Sequence, residues 1–172
     1  ARMKEDTALE DVARQETKKL QNGERENTKI WRAFYKVSLQ EFEKIYKILG
    51  ITFDYYFGES SYKAELPGIV ADALEKGVAE KSEGAIVIPL DDMSPFIIQK
   101  SDEAFLYSTT DLAAIRQRVK KFKPQVILYV VDNGQSLHFE QLFASARKLG
   151  YVSDEYLVHA KFGLVLAEDM KK

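Results

Sequence analysis

At 172 residues the chain is long enough for one core of ordinary size and short for two, and its 45% hydrophobic and 30% charged content is that of a globular protein. A net charge of −2 supplies no global positive field for nucleic acid, so an RNA partner would need a local patch or another domain, and the absence of cysteine excludes disulfides and Cys-based zinc or iron–sulfur sites. No apolar run approaches the roughly 20 residues of a membrane span, and the charged opening Ala1-Arg2-Met3-Lys4-Glu5-Asp6 lacks the apolar core of a signal peptide; the expectation is a cytoplasmic protein with no membrane partner.

Residues 1–27 are polar and charge-mixed, with Leu9, Val12, Ala13 and Leu20 giving a thin apolar stripe, so a helix is expected that frays around Gln21-Asn22-Gly23. Residues 28–49 carry stronger helical periodicity. Ile30, Trp31, Phe34 and Val37 repeat at three and four residues, and Phe42, Ile45, Tyr46 and Leu49 do so again. Ser38 followed by Glu41 has capping-box form, which predicts a new helix starting there, and Gly50 fits the left-handed position that ends one. Ile51 to Tyr56 is β-branched and aromatic and predicts a strand or an extended segment. Residues 1–50 therefore form a helical arm, and residues 51–172 a second domain.

From Glu65 to Lys76 the pattern is helical, with Pro67 in the first turn and Gly77 as the stop. Two short apolar runs, 84–88 and 96–98, flank Pro89, Asp91-Asp92 and Pro95, and predict two strands joined by a tight polar connection. Phe105-Leu106-Tyr107 suggests a third strand beside them. A helix from about Thr110 to Phe122 closes on Lys120 and Lys121, ahead of Pro124. Val126 to Val131 is uninterrupted apolar, as expected of a parallel strand covered on both faces. A helix from Ser136 to Leu149 ends at Gly150, and Tyr156-Leu157-Val158 with Gly163-Leu164-Val165-Leu166 supplies the next strand or strand pair. The βαβ pattern reads as an α/β fold: a Rossmann-type parallel-sheet half-domain with an N-terminal helical segment.

In open α/β sheets ligands bind beyond the carboxyl ends of the strands. Gln135 follows the most strand-like segment of the chain, and Tyr107 and Asp111 flank a second strand-to-helix junction. A phenol oxygen, a carboxylate and an amide carbonyl form an acceptor-rich set suited to a guanidinium, which offers five donors and no acceptor. Each residue also has an ordinary reading. Asp111 in a first helical turn would stabilise the helix start, Tyr107 would be a half-buried strand aromatic, and Gln135 a polar residue at a helix start. His138 and His159, the only histidines, read equally well as packed or functional side chains. Asp91-Asp92 reads as a solvated loop pair, and Lys120 with Lys121 as complements to a helix C-terminus.

The motifs together resemble the arginyl-tRNA synthetases, class I enzymes with a Tyr-x-Thr-x-Asp signature, then Gln-x-x-His-Phe, then His-x-x-Phe-Gly-x-Val. The chain has Tyr107, Thr109 and Asp111; Gln135, His138 and Phe139; and His159, Phe162, Gly163 and Val165, preceded by a family-like block from Phe53-Asp54 through Gly58-Glu59-Ser60. The resemblance implies that Tyr107, Asp111 and Gln135 line an arginine pocket, and that His138, Phe162, Gly163 and Val165 lie at the ATP site. It also implies ATP as a substrate with Mg2+ carried by it and no protein-bound metal. Its partners would be arginine and tRNA(Arg), with the parent protein a monomer. One departure is local: the family commonly has Ser-Asp-Gly before its tyrosine, whereas Ser101-Asp102 is followed here by Glu103.

Class I synthetases stabilise charge at the α-phosphate with a His-Ile-Gly-His-type segment and a Lys-Met-Ser-Lys-type loop. The first is absent, and the second would begin where the chain stops, at Met170-Lys171-Lys172. The resemblance thus implies part of a catalytic domain that is inactive by itself, with no catalytic residue assigned. Two other readings stay open: a stand-alone Rossmann-like module binding adenine nucleotides, and a non-catalytic interaction domain using the Trp31/Phe34/Phe42 helix face.

Overall fold

The structure, a computed structural model, describes residues 7–153 and 156–163. The predicted strand at residues 163–166 lies largely outside that range, as does Met170. The chain divides into two compact units, residues 1–56 and 57–172.

The first unit is a pair of helices, α1 (Thr7–Gln21) and α2 (Arg25–Leu49), joined through Asn22 and Gly23. Asn27 donates to the Glu16 side chain at 2.7 Å and to its carbonyl at 3.3 Å, which ties the start of α2 back to α1. The helix expected to restart at Ser38 does not: α2 runs unbroken through Ser38. No Gly or Pro lies between residues 25 and 49, so nothing interrupts the hydrogen-bond ladder and the cap signature has no end to cap. Gly50 closes the helix at φ 66°, and the N–H of Ile51 reaches the Tyr46 carbonyl at 2.9 Å. Of the two readings of residues 51–56, a strand or an extended segment, the strand does not form; Phe53 meets the Tyr46 ring edge-on at 4.8 Å. A β-branched run forms a strand only where a partner edge is offered, and among the described residues none pairs with it.

The second unit begins with two 3₁₀ turns over residues 59–65, then α3 (Leu66–Glu75), β1 (Glu80–Ser82), β2 (Ala85–Ile88), β3 (Phe96–Gln99), α4 (Tyr107–Phe122), β4 (Ile127–Asp132), a 3₁₀ turn over 133–135, α5 (Ser136–Lys148) and β5 (Leu157–Phe162). The strands make two sheets. One is antiparallel, ordered β1-β2-β3, with a register shift between Ile86 and Val87; the other is the parallel pair β4-β5, joined by the α5 crossover. The hairpin partner missed in the sequence is β1, whose Glu-Lys-Ser composition carries no strand signal. Phe105-Leu106-Tyr107 is not a third strand. Only a single bridge joins Phe105 to Gln99, and α4 starts at Tyr107 itself.

One core unites the second unit, formed by Ile69 and Ala73 of α3, Ile88 and Ile98 of the hairpin, Leu112 and Ile115 of α4, and Leu142 and Ala146 of α5. α4 is its centre, packing on α3, α5 and β3. The apolar run of β4 is not covered on both faces as expected. Ile127, Tyr129 and Val131 pack inward, while Leu128 and Val130 are exposed, because within this unit the α5 rings Phe139 and Phe143 meet the face that carries Tyr129. Half of such a run is thus apolar without being buried among the described residues.

Candidate functional site

Two short hydrogen bonds attach the N-terminus of α4 to the antiparallel hairpin. The Ser108 hydroxyl donates to the Ile97 carbonyl, and the buried Thr109 hydroxyl donates to the Ile98 carbonyl. These carbonyls belong to β3, so the strand grips the first turn of the helix that carries Tyr107 and Asp111. The threonine of the Tyr-x-Thr-x-Asp pattern therefore has a mechanical role, locking helix to sheet. Ahead of it, the loop from Lys100 to Ala104 turns back through Glu103 at φ 63°, a left-handed conformation in which a side chain is strained. The left-handed turn thus forms with glutamate at the position where glycine would be easiest. Asp102 helps by accepting from the Ala104 N–H at 3.2 Å.

Because α4 starts at Tyr107, Asp111 lies in the second turn of the helix and does not cap it. Its carboxylate faces α5 instead, and its Oδ2 accepts from His138 Nε2 at 2.8 Å. A carboxylate only accepts, so Nε2 carries the proton. Two rings adjoin the imidazole, Phe96 of β3 at 5.8 Å and the neighbouring Phe139 of α5 at 5.4 Å. The Asp111 side chain is 37% exposed, so the carboxylate stays reachable from solvent.

Tyr129 of β4 is a member of this neighbourhood that the sequence did not single out. Its phenol accepts from Arg118 at 3.1 Å and packs against Phe139 and Phe143. Burial raises its pKa to about 12; the Arg118 charge works in the other direction, and the nearby Asp111 charge adds to the rise. The signal was one hydroxyl in an otherwise aliphatic strand.

At the carboxyl end of β4, Asp132 accepts from the Gly134 N–H at 2.9 Å, and the Ser136 hydroxyl donates to the Asn133 carbonyl at 2.7 Å. This turn delivers Gln135 to the start of α5, exposed. Phe162 is the register partner of Asp132 and is half exposed, so Phe162 and Gly163 stand at the same end of the parallel pair as Gln135. His159 faces inward, donating from Nε2 to the Val131 carbonyl at 3.0 Å and lying 4.5 Å from the Phe139 ring.

The candidate residues are thus brought together unequally. Asp111 and His138 are in direct contact. Tyr107 shares the α4 N-terminal turns with Asp111, but its ring is 70% exposed, and neither Tyr107 nor Gln135 makes a side-chain hydrogen bond among the described residues. Val165 lies outside the described residues. Among the described residues no group of three or more His, Asp or Glu side chains is placed to hold a metal ion, and no helix is long and apolar enough to cross a membrane.

The family model of the class I tRNA synthetases (R), catalytic domain, matches residues 1–172. The chain belongs to the arginyl-tRNA synthetase family. An arginine–tRNA ligase of Chloroflexus aggregans is 45% identical over 170 residues, covering 98% of this chain and 30% of that protein. One of Lactobacillus johnsonii is 44% identical over 161 residues, covering 93% and 29%. The crystal structure of arginyl-tRNA synthetase from Plasmodium falciparum superposes with a TM-score of 0.83 at 30% identity, covering 93% of this chain and 29% of that one. The chain therefore spans about 30% of the length of the curated relatives it matches. The α/β Rossmann-type half-domain with a helical segment is the fold expected of a synthetase catalytic domain, and a class I synthetase uses ATP.

Proposed function

We propose that the protein carrying this chain is an arginine–tRNA ligase: the arginine carboxylate attacks the α-phosphate of ATP and releases pyrophosphate, then the terminal ribose hydroxyl of tRNA(Arg) attacks the adenylate carbonyl and releases AMP. Residues 51–172 supply part of the catalytic domain and residues 1–50 a helical arm. The observation that carries the reading is the Asp111 carboxylate, held on one oxygen by His138 from the first turn of α5 and accessible to solvent. An anion in that position meets the planar donor fork of a guanidinium, which an ammonium cannot reproduce and a neutral side chain would leave unpaired. Tyr107 and Gln135 complete the arginine pocket from the start of α4 and the start of α5.

Phe162, Gly163 and Val165 form the adenine side of the site. A Cβ on Gly163 would meet no described atom within 4 Å, so the glycine leaves open space for a flat ring to approach. Mg2+ arrives with ATP, the protein acts as a monomer in the cytoplasm, and the charge developing on phosphate is stabilised by segments of the synthetase other than this one.

Titration calorimetry of the full-length protein with arginine tests the assignment. Asp111→Asn should weaken arginine binding by about 100-fold or more, the loss associated with truncating one partner of a partly desolvated charge pair. Unchanged affinity would remove Asp111 from the pocket, and adenine-nucleotide binding indifferent to arginine would favour a plain nucleotide module.

A further inference from the structure

We propose that His138 is a positioning residue for arginine recognition: its Nε2–H pins one oxygen of the Asp111 carboxylate and so sets the face that the carboxylate turns to the substrate guanidinium. The proposal rests on the arginine reading of Asp111 given above. Its physical basis is that Asp111 sits one full turn inside α4, where no backbone N–H is free to hold its side chain. Among the described residues its hydrogen-bond partner is the imidazole, at 2.8 Å. Without that bond the carboxylate would sample its rotamers, and each binding event would bear the cost of ordering it.

The imidazole is itself immobilised. Phe96, buried at 4% exposure on β3, lies 5.8 Å from it, and the Phe139 ring meets it edge-on with an interplanar angle of 76°. One ring therefore joins β3, α4 and α5, the three elements that set where Asp111 can point. Two of those elements are independently locked to each other by the Ser108 and Thr109 hydroxyls. The specificity carboxylate is thus carried by a braced helix and oriented by a braced donor, the arrangement that keeps a recognition group in place before ligand arrives.

The choice of histidine follows from charge. A lysine or arginine at position 138 would hold Asp111 as well, yet its permanent cation would occupy the anion that the substrate needs. An imidazole donates from Nε2 without a permanent charge, so the carboxylate keeps its negative character. Each carboxylate oxygen offers two lone-pair sites. With one site on Oδ2 given to His138, Oδ1 and the rest of Oδ2 still accept a two-pronged guanidinium.

The test measures aminoacylation by the full-length protein, with KM for arginine and KM for ATP determined separately. His138→Phe keeps a ring beside Phe96 and Phe139 but removes the donor; His138→Gln keeps a donor near the Nε2 position. The expected result is a rise in arginine KM of about tenfold or more for His138→Phe, in line with losing a hydrogen bond to a charged group, with ATP KM and kcat little changed. His138→Gln should stay within about threefold of wild type. In the Asp111→Asn background, His138→Phe should add nothing, because a residue acting through Asp111 has no further effect once Asp111 is replaced.

A shift in ATP KM with arginine KM unmoved would overturn the proposal and place His138 at the nucleotide. Equal damage from the Gln and Phe variants, or effects that multiply in the double variant, would overturn it too. Should His138→Phe fail to fold by circular dichroism, His138→Asn, whose amide stops short of Asp111, is read against the same outcomes. If Asp111→Asn alone leaves arginine KM unchanged, the arginine reading itself fails, whatever the His138 variants do.

Discussion

Thr109→Val is the substitution that most directly tests how the site is built. Valine has nearly the shape of threonine, so the fully buried position stays filled and no cavity opens. What is lost is the hydroxyl that donates to the Ile98 carbonyl. A buried acceptor left without a partner costs about 1–3 kcal/mol. Taking about 2 kcal/mol, and about 2–4 °C per kcal/mol for a domain of this size, the melting temperature falls by about 4–8 °C. Thr109→Ser is the control: it keeps the donor and removes one methyl, at about 0.5–1.5 kcal/mol by analogy with other single-methyl truncations in cores. Because Thr109 lies between Tyr107 and Asp111 on the turn gripped by β3, the valine variant should also raise arginine KM, and the serine variant should not. Differential scanning calorimetry of the full-length protein, with arginine kinetics alongside, reads both effects. A valine variant as stable as wild type, or a serine variant more damaged than the valine one, would refute the reasoning that the hydroxyl and not its volume holds α4 to the hairpin.

Two further outcomes follow from the same geometry. Glu103 sits at φ 63°, so Glu103→Gly should stabilise the protein by about 1 kcal/mol through relief of left-handed strain, partly offset by the greater freedom of glycine in the unfolded chain; a lowered melting temperature would contradict this. The Tyr129 phenol, pushed up to about 12 in the folded state against an ordinary value of 10.0, holds its proton in the fold at pH values where the unfolded chain releases it. Its contribution to stability is therefore complete below pH 10 and is lost as pH rises toward 12, and Tyr129→Phe should flatten that loss in denaturant titrations between those limits.

Much of the second unit was legible because local signals and tertiary demands agreed. The helix ending at Phe122 and the one from Ser136 carry apolar positions at helical spacing and cationic last turns, and both form nearly where expected. Gly50 stops α2 because only a left-handed residue can close that helix end without strain. The failures have a common cause. Residues 51–56 have strand composition but pair with no edge among the described residues, Glu80–Ser82 has none of that composition but is offered the edge of β2, and Tyr107 was assigned to a strand when the first turn of α4 captures it. Strand formation depends on a partner that can lie anywhere in the chain, whereas helix formation is decided within a few residues.

The same division holds for the site. Spacing and residue type alone placed Tyr107 and Asp111 near the start of one helix and Gln135 at the start of another, and the order of the motifs alone pointed to the family. Only the tertiary structure decided that Asp111 turns away from its own helix terminus to meet His138, that Thr109 serves as a strut, and that a tyrosine from β4 stands close by. The reason is geometric. Which face of α4 meets which face of α5 depends on how both helices pack over the sheet, and a hydrogen bond between residues 27 positions apart exists only once that packing is complete.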